Sequence, residues 1–226
     1  AYWHEQKIPA VVYMLEEDRQ YHHHRVLAQR TGNALWTDPE WIRANGIEVL
    51  ATLETEGEWL TAFDRTIFDA PHEAVDYVAI KKWIKQTAEA GAKIICIDPI
   101  TAASSSFQPW IADQEFMIEV KRLARQYHTA VVLITHPKKG GSFMTGLDDL
   151  AGGAAWQRFS QSVIWIVNHF PAKEEKVETT FGSSELSINR TLWLLKTRNG
   201  PGAGKKIAFR FSGESLTFSE LGLIKT

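Results

Sequence analysis

Cysteine is almost absent from this sequence: Cys96 stands alone inside the apolar run Ile94–Ile97. One thiol builds no disulfide framework, so a reducing cytoplasm is the expected compartment. No apolar stretch approaches the ~20 residues that span a bilayer, and no secretory leader is visible, so no membrane partner is expected. An excess of one charge is missing too, with 25 Lys+Arg against 27 Asp+Glu and a net charge of -2. That excludes a strongly cationic nucleic-acid coat protein. It leaves room for DNA binding through a local basic loop, because association follows local potential rather than the total. No internal repeat is present. The first residue is Ala1 rather than Met, so the chain reads as a fragment or a trimmed piece of a longer protein.

What is present is enough for a real core: 226 residues, 44% of them hydrophobic, fit one large α/β domain. Residues 1–8 read as the tail of a helix stopped by Pro9. Ala10–Leu15 is a short apolar run without alternation, as in a strand buried on both faces. Helices are predicted over 18–31, 73–91 and Ile111–Tyr127, with Gly91 ending the second. Ile47–Leu53, Lys93–Asp98 and Ala130–Thr135 read as strands. Segments 32–45 and 137–153 read as polar loops. Val163–Val167, Thr191–Lys196, Lys205–Phe211 and Ser215–Thr217 read as closing strands, with 171–190 as a solvated excursion. Strand and helix alternate in the first part, which predicts parallel βαβ units. The strand-rich end predicts an antiparallel extension of the same sheet.

Ligands of open parallel sheets bind at the carboxyl ends of the strands. Four apolar runs end in chemistry. One leads into Glu16-Glu17-Asp18, the second into Asp98, the third into Thr135-His136, and the fourth into Lys196-Thr197-Arg198-Asn199-Gly200. Each alone is an ordinary strand end in solvent. Together they supply what a nucleoside triphosphate with magnesium needs. A carboxylate holds Mg²⁺, usually through water. A second carboxylate orients or deprotonates the attacking water. A donor senses the γ-phosphate, and cations neutralise the transition state.

The order and spacing of these motifs resemble the ATPase core of hexameric, DnaB-like and RepA-like replicative DNA helicases. Val11-Val12-Tyr13-Met14-Leu15-Glu16-Glu17-Asp18, followed by Arg25, is similar to their catalytic-glutamate motif. Ile94–Asp98 resembles their Walker B strand. Val131–Gly140 resembles the RepA-type sensor strand, with His where DnaB proteins usually carry Gln. Lys196-Thr197-Arg198-Asn199-Gly200-Pro201 matches the Lys-x-Arg-Asn-Gly-Pro of DnaB and is the most specific of the four. The resemblance implies a RecA-like fold over residues 1–226, a twisted, mainly parallel sheet flanked by helices with antiparallel strands toward the C-terminus. It implies ATP and Mg²⁺ as cofactors, and single-stranded DNA, a homo-hexameric ring and a primase or helicase loader as partners. Glu17 is then the catalytic base, and Asp98 the residue that holds Mg²⁺. His136 contacts the γ-phosphate, and Arg25 lies near the phosphates. Lys196 and Arg198 are cations reaching into the neighbouring subunit's site. The family's DNA loops fall at Pro137–Gly146 and Leu150–Trp156, which makes Lys138, Lys139, Gly140, Gly141 and Trp156 the DNA-binding candidates.

The family's Gly-x4-Gly-Lys-Ser/Thr loop is absent from these residues and is expected just ahead of Ala1. Gly200–Lys205 imitates it, but the spacing is one short, Lys206 stands where Ser/Thr belongs, and a strand follows where a helix is required. A turn with glycine at positive φ is the better reading. Blander readings stand beside the others. Asp18 suits a helix start. His136 suits an ordinary polar strand end, and Lys138-Lys139 a surface turn. Trp156 suits either base stacking or anchoring an amphipathic helix. His22-His23-His24 point about 100° apart on a helix and cannot converge on one metal ion. A RecA-fold ATPase that does not unwind, such as a recombination mediator or a KaiC-like regulator, is the competing function. A catalytically inactive DNA-binding or scaffold module is a third class.

Overall fold

The computed structural model describes residues 1–71, 74–103, 108–137, 146–150 and 154–225, the side chain of Asp148 excepted. The helices are α1 (Tyr2–Glu5), α2 (Arg19–Thr31), α3 (Pro39–Ala44), α4 (Gly46–Asp64), α5 (Tyr77–Glu89), α6 (Pro109–Tyr127) and α7 (Ala154–Phe159). The strands are β1 (Ala10–Met14), β2 (Ile67–Asp69), β3 (Ile94–Asp98), β4 (Ala130–Leu133), β5 (Ser162–Thr179), β6 (Gly182–Thr197), β7 (Lys206–Ser212) and β8 (Thr217–Ile224).

The first four strands form a parallel sheet in the order β2-β1-β3-β4. Its centre is the β1–β3 ladder, where Ala10 to Met14 pair with Ile94 to Asp98 one for one. Ile95, Cys96 and Ile97 are buried, as a strand covered on both faces requires. Burial pushes the Cys96 thiol up to about 11, so it stays protonated and inert at neutral pH. On one face, Ile80, Ile84 and Ala88 of α5 and Phe116, Met117, Val120 and Leu123 of α6 pack onto Tyr13, Ile95 and Ile97. A smaller core gathers Leu27, Ala28 and Trp36, with Trp41, Val49 and Leu60 against it. The β1-to-β2 and β3-to-β4 crossovers run in opposite directions across the sheet. Right-handedness in both puts α2–α4 and α5–α6 on opposite faces. The helix starts are local: Asp18, Asp38 and Asp76 each accept a backbone N–H of the first turn of α2, α3 and α5.

The C-terminal strands depart from the expected extension of the same sheet. β5 to β8 close on themselves as a separate antiparallel barrel. Residues 171–190 are not an excursion. They carry β5 and β6 onward as a hairpin, paired from Lys173↔Ile188 to Thr179↔Gly182 after a register shift between Asn168 and Lys173. Val177 and Ile188 are fully buried there and pack with Ala208, which gives the charged hairpin its apolar seat. The segment expected as a strand at Ile47–Leu53 is instead the first two turns of the 19-residue α4. The three-residue β2 is an additional strand. Gly200–Lys205 is a turn between β6 and β7, with Gly204 at φ +85°, in keeping with the turn reading.

Candidate functional site

The parallel register decides which side chains meet. Met14 of β1 lies opposite Asp69 of β2 on one side and Asp98 of β3 on the other. One residue further, the Leu15 N–H donates to the Asp98 carbonyl at 2.8 Å. Glu16 and Glu17 therefore leave the sheet beside Asp98. β4 is carried past its last ladder pair by Ile134 N–H donating to the Ile97 carbonyl at 3.0 Å, which brings His136 to the same edge. His136 Nε2 lies 3.4 Å from Glu16 Oε2.

Asp98 is half-buried while Glu16, Glu17 and His136 are exposed. Burial is the first cause raising the Asp98 carboxyl above its ordinary range; the charges of Glu16 and then Glu17 raise it further, and His136 opposes them. Three of the predicted site residues, Glu17, Asp98 and His136, are thus brought together, with Glu16 closer to the centre than expected. This is a crowd of hard oxygen donors with too little positive charge among them. It suits a divalent cation that keeps most of its water and takes one protein carboxylate. Among the described residues no three His, Cys, Asp or Glu stand together as a complete metal cage, which points the same way.

Two residues that support this edge escaped the sequence reading. Arg19 donates to Asp64 Oδ2 at 2.8 Å, to Asp69 Oδ2 at 3.1 Å and to the Ile67 carbonyl at 3.0 Å. It ties the turn after β1 to β2 and to the end of α4. Asp69 ends a strand of only three residues, too short to show a pattern. Next to Arg19, Asp18 caps α2 through the Tyr21 N–H at 2.7 Å, the helix-start role open to it. Arg25 lies further along α2, its guanidinium 5.3 Å from the Tyr21 ring centroid. That stacking, and not the carboxylate edge, holds its side chain.

Lys196 and Arg198 lie elsewhere, at the end of β6 in the barrel rather than on the parallel sheet. Alternation does bring both to one partner, as expected. Lys196 Nζ donates to the Gln157 carbonyl and Arg198 to the Arg158 carbonyl, both at the C-terminal end of α7. Cations suit that end of a helix. Burial, then Arg198 and Lys121, hold the Lys196 amine below its ordinary value. Trp156 is only 6% exposed and packs 6.0 Å from the Phe116 ring. It anchors α7 and is not available as a platform for a base. Lys138, Lys139, Gly140 and Gly141 lie outside the described residues. A cleft of about 790 Å³ opens at the opposite, amino end of the sheet, lined by Ile8, Val11, Phe68 and Trp83. It is apolar and far from the carboxylates, so we do not assign the chemistry to it.

A parallel sheet with helices on both faces and a charged carboxyl edge defines a RecA-like ATPase fold. The chain has the fold of the ATPase domain of DnaB-like replicative helicases. It is similar to a solved structure of one such helicase's ATPase domain alone, at TM-score 0.72 and 14% identity over 96% of this chain and 76% of that one. It is similar also to a DnaB-like replicative helicase described with its interactions with primase, at TM-score 0.73 and 13% identity. That match covers 96% of this chain and 51% of the other, so the chain spans about half of that helicase. No family model matches, and no curated protein matches.

The raised Asp98 carboxyl has a consequence for stability. Asp98 ionises less readily folded than unfolded, so its charge costs stability above the ordinary carboxylate range and nothing below it. Asp98→Asn is expected to raise the melting temperature at about pH 7 without divalent cation, and the gain should vanish toward about pH 4. A mutant that melts lower than wild type at neutral pH, or whose gain ignores pH, contradicts the crowding.

Proposed function

We propose that this chain is the motor portion of an ATP-dependent, ring-shaped DNA helicase of the DnaB-like replicative kind. It couples ATP hydrolysis to movement along single-stranded DNA and to duplex unwinding. One observation carries the reading: Glu16, Glu17, Asp98 and His136 leave three different strands and meet at the carboxyl edge of one parallel sheet. On this reading Asp98 would hold Mg²⁺ through water, and the ion when bound neutralises charge on the phosphates. Glu17 accepts the proton of the attacking water. His136 donates to a γ-phosphate oxygen and, through its contact with Glu16, senses whether that oxygen is there. Arg25 approaches the phosphates only if α2 or its side chain shifts. The backbone amides that cradle phosphates in such enzymes belong to the Gly-x4-Gly-Lys-Ser/Thr loop, which these residues do not contain. Turnover is therefore to be measured in a protein carrying that loop ahead of them.

Lys196 and Arg198 act in trans on this reading. Their side chains are held by α7 carbonyls within the subunit, and they would exchange those carbonyls for the phosphates of a neighbour. Arg offers a planar fork to phosphate oxygens and Lys a point charge. Single-stranded DNA is assigned to Lys138, Lys139, Gly140 and Gly141, with Trp156 holding the segment beside it from below. A hexamer of like subunits is the assembly. A primase or helicase loader is a further partner; a similar structure is described with primase interactions.

Glu17→Gln is expected to spare ATP binding and lower turnover by roughly 10²-fold or more. Normal turnover in Glu17→Gln, with loss in Glu16→Gln, moves the base to Glu16. Stimulation of turnover by single-stranded DNA separates this reading from an ATPase that does not unwind.

Arg198→Ala is expected to abolish hydrolysis and spare nucleotide binding. Mixed with Glu17→Gln subunits, it should recover part of the activity, because some interfaces then join an intact Glu17 to an intact Arg198. Mixed rings that form and stay inactive count against a trans role.

A further inference from the structure

Two helices of equal length carry matching outer surfaces on opposite faces of the parallel sheet. α4 and α6 each run 19 residues. α4 contains no fully buried residue. Its outward stripe reads Ile47, Leu50 and Ala51, then Glu54 and Glu58, apolar in the first half and acidic in the second. Ile47 is 88% exposed and Leu50 65%. From Gly46 to Asp64 the sequence has five acids and no Lys, Arg or His. Glu56 and Asp64 are engaged by Arg30 and Arg19, while Glu48, Glu54 and Glu58 face solvent.

α6 repeats the pattern with the opposite charge. Its outward stripe, at spacings of three and four, reads Trp110, Gln114 and Ile118, then Lys121 and Arg125. Trp110 is 67% exposed and Ile118 46%. Of the acids nearby, Asp113 is buried and bonded to the Tyr77 hydroxyl, Glu119 is paired with Arg122 on the same helix, and Glu115 sits on the flank. Single exposed apolar residues are ordinary. Several aligned on the first half of each of two helices are not.

We propose that α4 of one subunit packs parallel to α6 of a second copy of this chain, apolar half on apolar half and acidic half on basic half. Antiparallel packing would instead press Glu54 and Glu58 onto Trp110 and Ile118 and desolvate charges without partners. The two surfaces differ and lie on opposite faces, so the contact is head to tail. Repeated, it closes into a ring or runs on as a filament. Charge complementarity fixes the occupant, because the partner that α4 calls for in both polarity and sign is present on the same chain. Lys121 also lies within electrostatic range of Lys196, so the basic half of α6 borders the cation pair assigned a trans role. The inference shares with the proposed function only the assembly of like subunits, and does not depend on nucleotide chemistry.

Sedimentation velocity tests it on wild type, on Glu54→Arg/Glu58→Arg, on Lys121→Glu/Arg125→Glu, and on an equal mixture of the two variants. Wild type should assemble. Each variant alone should need at least about tenfold higher concentration to do so, since like charges then face each other. The mixture should assemble again, because alternating subunits restore opposite charges at every contact. Far-UV dichroism checks that each variant is folded; where one is not, Ile47→Glu replaces it and should also dissociate the assembly. A wild type that stays monomeric up to its solubility limit, a folded variant that assembles like wild type, or a mixture that stays dissociated overturns the proposal. Hydrolysis is not read in this experiment, so a failure of the Glu17 assignment and a failure of this surface are told apart.

Discussion

The ladder between β1 and β3 is the constraint on which the rest depends. Five residue pairs, from Ala10↔Ile94 to Met14↔Asp98, lock two apolar strands side by side. A slip of one residue would exchange every inward and outward side chain. It would also part Leu15 from the Asp98 carbonyl it binds. With that register held, the polar residues that follow each strand emerge at one place. Burial of Ile95, Cys96 and Ile97 makes the register costly to break, because moving a carboxylate into that run would strand a charge in the core. The same apolar run that stabilises the sheet thus sets the position of the acids.

The carboxyl edge is held at an electrostatic cost. Asp98, Glu16 and Glu17 repel one another, with His136 as partial relief. The edge survives because its supports are independent of that charge. Asp18 is engaged as a cap, and Arg19 fastens the turn to Asp64, Asp69 and the Ile67 carbonyl. A site that is built under repulsion and braced from behind is disposed to accept a cation and a polyanion together. That is the physical basis for reading it as a nucleotide edge. The barrel beyond it, with Lys196 and Arg198 on α7, belongs to a different part of the domain and meets the site only through assembly or movement.

Much of the parallel half was legible because its signals are local. Ala10–Leu15 and Lys93–Asp98 are apolar without alternation and end in acids, and Ile111–Tyr127 has a clear apolar face. Ile47–Leu53 misled because a short apolar run has no period of its own; nothing breaks the helix before Gly57, and α4 simply continues. Lys173-Glu174-Glu175-Lys176 hid a hairpin because its charges occupy exposed positions, while the seat is made by Val177 and Ile188, distant in sequence from Ala208. No local pattern states that β5 to β8 close on themselves, since closure depends on β5 meeting β8 across the chain. At the site, Glu17, Asp98 and His136 were readable as strand ends. Arg19 was not, because its three partners lie 45 to 50 residues away. Trp156 was readable as an aromatic in the right place, but its burial against Phe116 is a tertiary fact.

Diffraction at the manganese edge, from crystals grown with Mn²⁺ and a non-hydrolysable ATP analogue, tests the nucleotide edge most directly, using the chain with its phosphate-binding loop in place. One manganese peak is expected over the carboxyl edge of the parallel sheet. Its water shell should reach Asp98, and the γ-phosphate should lie against His136 and in front of Glu17. A nucleotide seated in the cleft lined by Ile8 and Trp83, or a manganese peak away from Asp98, would contradict it.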